Sequence, residues 1–147
     1  MEFENRIADA LRISEDDVVF ILRILLASCL AAIIGFQRLR SGSPAGYRTH
    51  AIIAVAAAAF TSISVDRFPA DTGRVIQGIL TGVGFLGSGI IWKAGETVRG
   101  MTTAAGIWVV TAIGIIIGVG EYFMGLSLFA ITLCILSLPK KSRFLDG

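Results

Sequence analysis

The stretch Val75-Ile76-Gln77-Gly78-Ile79-Leu80-Thr81-Gly82-Val83-Gly84-Phe85-Leu86-Gly87-Ser88-Gly89-Ile90-Ile91-Trp92 runs for 18 residues without a charge. As a helix it would be about 27 Å long at ~1.5 Å per residue, close to the ~30 Å hydrocarbon core of a bilayer. It is too continuous for the in–out alternation of a membrane barrel strand. Four similar runs flank it, at roughly 18–36, 49–65, 101–119 and 122–138. The predicted fold is therefore all-α and integral to a membrane. Five transmembrane helices joined by short loops form one domain over residues 1–147, and short loops force sequence neighbours to pack antiparallel. Composition agrees: 16% of residues are charged, against about 25% in soluble domains, and the mean hydropathy is +0.78.

Charge sets the expected orientation. Arg38, Arg40, Arg48, Lys93, Arg99, Lys140, Lys141 and Arg143 fall on one side of such a bundle, and Arg6, Arg12, Arg67 and Arg74 on the other. Basic loops stay in the cytoplasm, so the N-terminus is expected outside and the tail 139–147 inside. Phe3, Ile7, Ala10 and Leu11 fall at helical spacing among charges, which predicts an amphipathic segment over 1–17 on the outer interface. That segment is acidic and lacks a basic n-region, so no cleaved signal peptide is expected. A net charge of +2, without aromatic–basic interleaving, gives no case for nucleic acid.

The third span carries Gly78, Gly82, Gly84, Gly87 and Gly89. Glycine lets membrane helices approach closely, and here it occupies two sides of the helix, which predicts a central position in the bundle. Gly114 and Gly118 add a second small-residue pair in the fourth span, and close packing makes a homodimer a candidate assembly. Arg74, Gln77, Thr81, Gly84 and Ser88 form a polar stripe along the third span. His50, Ala54, Ala57, Thr61 and Ser64 form a small, polar face on the second. Such faces are expected to turn inward, because unsatisfied polar groups in lipid cost several kcal/mol each. They serve either as interhelical hydrogen-bond glue or as the lining of a pathway.

Arg23 lies inside the first span. It either snorkels to the outer surface or pairs with Asp71, which the topology puts on the same side. With Arg74 and Gln77 this pair would form a positive mouth at the outer end of the third span. On the other side, Arg48 and Arg99 each precede a span that opens with Thr: Thr49, and Thr102-Thr103. They either anchor topology or hold loop carbonyls, Glu96 or anionic lipid headgroups. The echo between the two hairpins hints at a parallel repeat, a transporter-like arrangement. His50 reads as a hydrogen-bonded interface residue. Cys29 and Cys134 lie in apolar runs and read as small buried hydrophobes. No Cys/His spacing, phosphate loop or Ser/His/Asp set appears, and no span interior holds Asp or Glu. No metal site, cofactor or catalytic residue is expected, and enzyme activity is not.

Four motifs, in order, resemble the MgtC/SapB family of bacterial inner-membrane proteins. They are Gly35-Phe36-Gln37-Arg38, Ala45-Gly46-Tyr47-Arg48-Thr49-His50, Gly82-Val83-Gly84-Phe85-Leu86-Gly87-Ser88-Gly89, and Val98-Arg99-Gly100-Met101-Thr102-Thr103-Ala104-Ala105 with Trp108 beyond. The resemblance covers about Arg23 to Gly118. It implies a five-helix inner-membrane domain linked to magnesium limitation and intracellular survival, acting partly by restraining the proton-driven ATP synthase. It also draws Gln37 and Arg38 into the candidate set. This chain departs from the family in having Gln37 where Glu is usual. It also departs in having nine residues after Leu138, where many members carry a cytoplasmic regulatory domain. Mg²⁺ demands oxygen ligands and dehydrates reluctantly, and the third-span stripe offers neutral oxygens with Arg74 at one end. The expectation is a membrane regulator, with a small ion or solute transporter or channel, including one for magnesium, as the alternative.

Overall fold

The computed structural model describes residues 13–138; the amphipathic segment expected at Phe3–Leu11 and the basic tail beyond Leu138 lie outside them. Five helices follow in order. Helix α1 runs Glu15–Arg40, α2 Tyr47–Arg67, α3 Thr72–Ile90, α4 Met101–Val119 and α5 Tyr122–Ser137. A 3-10 turn, Pro69–Asp71, joins α2 to α3. Between α3 and α4 the expected plain loop is instead a two-stranded antiparallel ribbon, β1 (Trp92–Ala94) and β2 (Thr97–Arg99), in which Trp92 pairs with Arg99. Its two-residue turn puts Gly95 at φ +62°, the positive φ that a II′ hairpin uses at its first turn position.

The first helix is longer at both ends than its apolar run. At its start Ser14 Oγ accepts from the Asp17 N–H (3.2 Å), and the Asp17 carboxylate accepts from the Ser14 N–H (2.8 Å). This capping box, with Glu15, Asp16 and Asp17 in the first turn, suits the positive end of the helix dipole. At the other end Gln37-Arg38-Leu39-Arg40 remain helical rather than opening the loop, since nothing before Gly42 breaks the helix.

Helices α1, α2 and α4 are long and apolar enough to cross a membrane. The outer surface is apolar too, with Leu25, Ile33, Ile52, Phe60, Phe85 and Phe123 exposed, as a lipid-facing surface requires. Helix α4 holds the centre. Ten of its residues are buried, including Ile107, Val110, Ile113 and Ile117, and it packs on all four other helices. The α2–α4 contact is backbone to backbone. A Cβ on Gly114 would lie 2.6 Å from the Ala54 carbonyl oxygen, and one on Gly118 would lie 2.7 Å from that of Ala58. The face of α2 bearing His50, Ala54, Ala57, Thr61 and Ser64 is the one that turns inward.

The central position expected for the third span is corrected. Helix α3 buries only Val83 and Gly87. A Cβ on Gly78, Gly82, Gly84 or Gly89 would meet nothing within 4 Å, and one on Gly87 would make an ordinary 3.7 Å contact with Ala104. Gly78 and Gly82 instead border an apolar groove of about 420 Å³ between α2 and α3, with Ile53, Phe60 and Leu86. The physical reason is that glycine permits approach without attracting it. The helix that intercalates is the one with branched apolar side chains around its glycines, Ile113-Gly114-Ile115 and Ile117-Gly118. Cys29 and Cys134 are also exposed rather than buried; lipid is as apolar a surrounding as the core, so an apolar run does not tell the two apart.

Candidate functional site

The polar chemistry of the bundle gathers at the end where α1 finishes and α4 begins. Helix α1 closes in a Schellman motif: the Ser43 N–H donates to the Arg38 carbonyl (3.0 Å) and the Gly42 N–H to that of Leu39 (3.0 Å). Gly42 takes the required left-handed conformation, φ +77°. The chain thus folds back over the last turn of α1 and brings Ser43 onto Arg38. Gly35 lets the start of α2 cross close by, since a Cβ there would lie 2.5 Å from the Tyr47 Cα.

Arg38 is 5% exposed. Its Nη2 donates to Thr103 Oγ1 over a long 3.5 Å, and its buried Nε has no hydrogen-bond partner. Thr103 Oγ1 and Ser43 Oγ are 3.0 Å apart, both buried. Two cavities meet at this arginine. One, about 640 Å³, is lined by Gln37, Arg38, Ser41, Thr102 and Ile135–Leu138. The other, about 570 Å³, is lined by Arg38, the Ser41–Pro44 turn, Trp92, Val98, Arg99 and the first turn of α4, Gly100–Thr103. Neither is lined by an acidic residue among the described residues. Gln37 Nε2 donates to Ser137 Oγ (2.9 Å), tying α1 to α5, while its buried Oε1 is unpartnered. Arg99 is exposed on the ribbon, its Cζ 5.8 Å from the Trp92 ring centre.

The structure therefore brings Gln37, Arg38, Arg99, Thr102 and Thr103 to one place. Arg48 and Thr49 are exposed on the first turn of α2 and line neither cavity. His50 is fully buried; its Nδ1 donates to the Gly46 carbonyl (2.8 Å), and Nε2 is unpartnered beside Gly106. Ser43 and Ser41 are absent from the candidates read from sequence. The sequence signal for them is Gly42 followed by Pro44, which marks a helix end after Arg40 rather than at Phe36.

The mouth expected at the start of the third span does not assemble, which corrects the expected Arg23–Asp71 pair. Arg23 donates instead to Ser62 Oγ (3.0 Å), the Gly118 carbonyl (3.2 Å) and Tyr122 OH (3.3 Å). Asp71 pairs locally with Arg74 at 3.2 Å, in the open. Arg23 needs no carboxylate, because α2, α4 and α5 converge on it with oxygens. The stripe Gln77, Thr81 and Ser88 faces outward rather than inward. Thr81 Oγ1 donates to the Gln77 carbonyl (2.8 Å) and Ser88 Oγ to that of Phe85 (2.7 Å), so the hydroxyls are satisfied within their own helix. Among the described residues no group of His, Cys, Asp and Glu could hold a metal ion.

The MgtC family matches residues 24–143. Protein MgtC of Salmonella typhimurium is 40% identical over 115 residues, covering 78% of this chain and 50% of the relative. The Escherichia coli protein YhiD, whose name proposes a magnesium transporter, is 38% identical over 134 residues, covering 85% and 62%. Protein SrpB of Synechococcus elongatus is 40% identical over 119 residues, covering 71% and 65%. This chain thus spans between half and two thirds of the length of these relatives. No solved structure matches. A match over most of the chain, on a five-helix apolar bundle, places this multi-pass membrane protein in the MgtC family.

Proposed function

We propose that this chain is a non-catalytic regulator in the bacterial inner membrane, serving magnesium homeostasis without conducting Mg²⁺. On this reading the N-terminus is outside and the Arg38 end is cytoplasmic. The observation that carries it is Arg38 itself. A buried guanidinium, with no acidic residue among the described ones lining the cavities beside it, repels a divalent cation at the polar opening into the bundle. Two unit charges 4 Å apart interact by ~4 kcal/mol at an effective dielectric of 20, and a divalent ion doubles that. The carboxylates Asp16, Asp17 and Asp66 lie at the opposite end, around a surface hollow shared with Arg67. The name of the Escherichia coli relative YhiD, which mentions magnesium, supports the link to magnesium. Restraint of the ATP synthase, implied by the family resemblance, is the form of regulation proposed.

The test is reconstitution. Liposomes containing the purified chain and a trapped Mg²⁺ indicator should take up no more Mg²⁺ than empty ones under an imposed gradient. Inverted membrane vesicles containing the chain should show reduced ATP-driven proton pumping. Saturable Mg²⁺ uptake would establish the transporter reading instead.

A further inference from the structure

The two cavities at the Arg38 end contain too much unspent donor capacity to be only packing. A guanidinium offers five N–H donors. Arg38 commits one of them to a 3.5 Å bond, leaves Nε with none, and is nineteen-twentieths buried. A charge so placed is costly unless it is paired, and among the described residues the cavity linings provide no carboxylate. The described linings thus leave the guanidinium charge open to an anion in the cavity.

A second, independent feature faces the same space. The N-terminus of α4, a 19-residue helix, has no side-chain cap. Its first-turn N–H groups have no acceptor within the helix, and the helix dipole makes that end positive. The capping position is Gly100, at φ +90°, and a Cβ there would run into the Ile90 carbonyl oxygen. The side chains that usually cap a helix, Ser, Thr, Asp and Asn, are therefore excluded by the backbone. The helix end is held bare, and Gly100–Thr103 line the cavity that Arg38 enters.

We propose that this end of the bundle is a binding site for a phosphate-class oxyanion, held by the Arg38 fork, the Thr103 and Ser43 hydroxyls and the open first turn of α4, with Arg99 at its rim. Donors approach from α1, from the turn after it and from α4. That multiplicity fits the three or four oxygens of a phosphate better than the two of a carboxylate, and helix N-termini bind phosphate by this geometry. Two sources carry the same chemistry. One is the headgroup of an anionic phospholipid, whose apolar part would lie against Ile135, Leu136 and Leu138 of the adjoining cavity. The other is a soluble phosphate or phosphomonoester. The inference deepens the regulator reading, and rests on it for its purpose: the anion is the signal that the regulator senses.

The full chain, purified in an uncharged maltoside detergent, tests it. Thermal unfolding is followed with inorganic phosphate against chloride at equal ionic strength, and with added phosphatidylglycerol against phosphatidylcholine. A rise in midpoint with phosphate identifies a soluble ligand. A rise with phosphatidylglycerol alone identifies a headgroup. Arg38→Lys, which keeps the charge and loses the fork, should weaken the binding at least tenfold. Thr103→Val, nearly the same shape, should weaken it several-fold and serves if the arginine variant does not fold. No response to either probe, or responses unchanged in Thr103→Val and in any folded Arg38→Lys, would overturn the site. Mg²⁺ uptake in liposomes would overturn the regulator reading while leaving the anion site standing, so the two failures are distinguishable.

Discussion

Arg23 lies in the apolar half of α1, yet it holds three oxygens from three other helices or helix ends: Ser62, Gly118 and Tyr122. Hydrogen bonds to a charged group contribute about 1.5–3 kcal/mol each, and removing one partner leaves the others unsatisfied. Arg23→Leu should therefore lower stability in detergent by about 2 kcal/mol or more, whereas Asp71→Asn, in the open beside Arg74, should leave the midpoint unchanged. A double-mutant cycle of Arg23→Leu with Tyr122→Phe should show coupling, and one with Asp71→Asn should be additive. Coupling between Arg23 and Asp71 in such a cycle would contradict the geometry. That Arg23 is polar and inside a span is legible in the sequence; its partners are not, because hydroxyls and a backbone carbonyl serve as well as a carboxylate. Arg38 is the reverse case. Its place two residues beyond the apolar run reads as a loop, and the Schellman closure through Gly42 shows that it lies in the last turn of a helix and is buried by the returning turn.

Among the elements, the contrast between α3 and α4 is the sharpest. Both carry glycines four apart, and both are read from sequence as close-packing helices. In α4 Gly114 and Gly118 meet the α2 backbone at Ala54 and Ala58, and in α3 five of six glycines face open space. Gly114→Ala and Gly118→Ala should each cost roughly 1–3 kcal/mol, as overpacking does in well-filled cores. Gly82→Ala and Gly84→Ala should be neutral or slightly stabilising, since alanine is the better helix former. Chemical unfolding of the four variants in mixed micelles ranks them. Equal losses at Gly82 and Gly114 would show that α3 is packed against something in the detergent particle, such as a second copy. The five helices are legible because apolar length alone defines them. Their arrangement is not, because a glycine marks where a backbone is reachable and leaves open which neighbour reaches it. The ribbon between α3 and α4 has only three residues per strand, and its one sequence signal is Gly95 between short polar segments.

For the molecule as a whole, the distribution of Lys and Arg and the location of the anion site make one statement about orientation. If the basic end faces the cytoplasm, the proposed site samples the cytoplasmic pool of phosphates and the inner leaflet. Ser14→Cys should then react with an impermeant thiol reagent added to intact cells on a Cys29→Ala, Cys134→Ala background, and Ser142→Cys should react only after the membrane is opened. Labelling of Ser142→Cys alone in intact cells would invert the assignment and put the site on the outside.

The bonds of Arg23 also set a timetable. Its partners lie 39, 95 and 99 residues further along the chain. Chains are synthesised at about 5–20 residues per second. The Gly118 carbonyl therefore leaves the ribosome roughly 5–20 s after Arg23 does, and Tyr122 follows it. For that interval the guanidinium has, of its three partners in the folded bundle, at most Ser62 to hold. A nascent chain halted before Gly118 would therefore contain Arg23 without two of the three oxygens that hold it in the folded bundle.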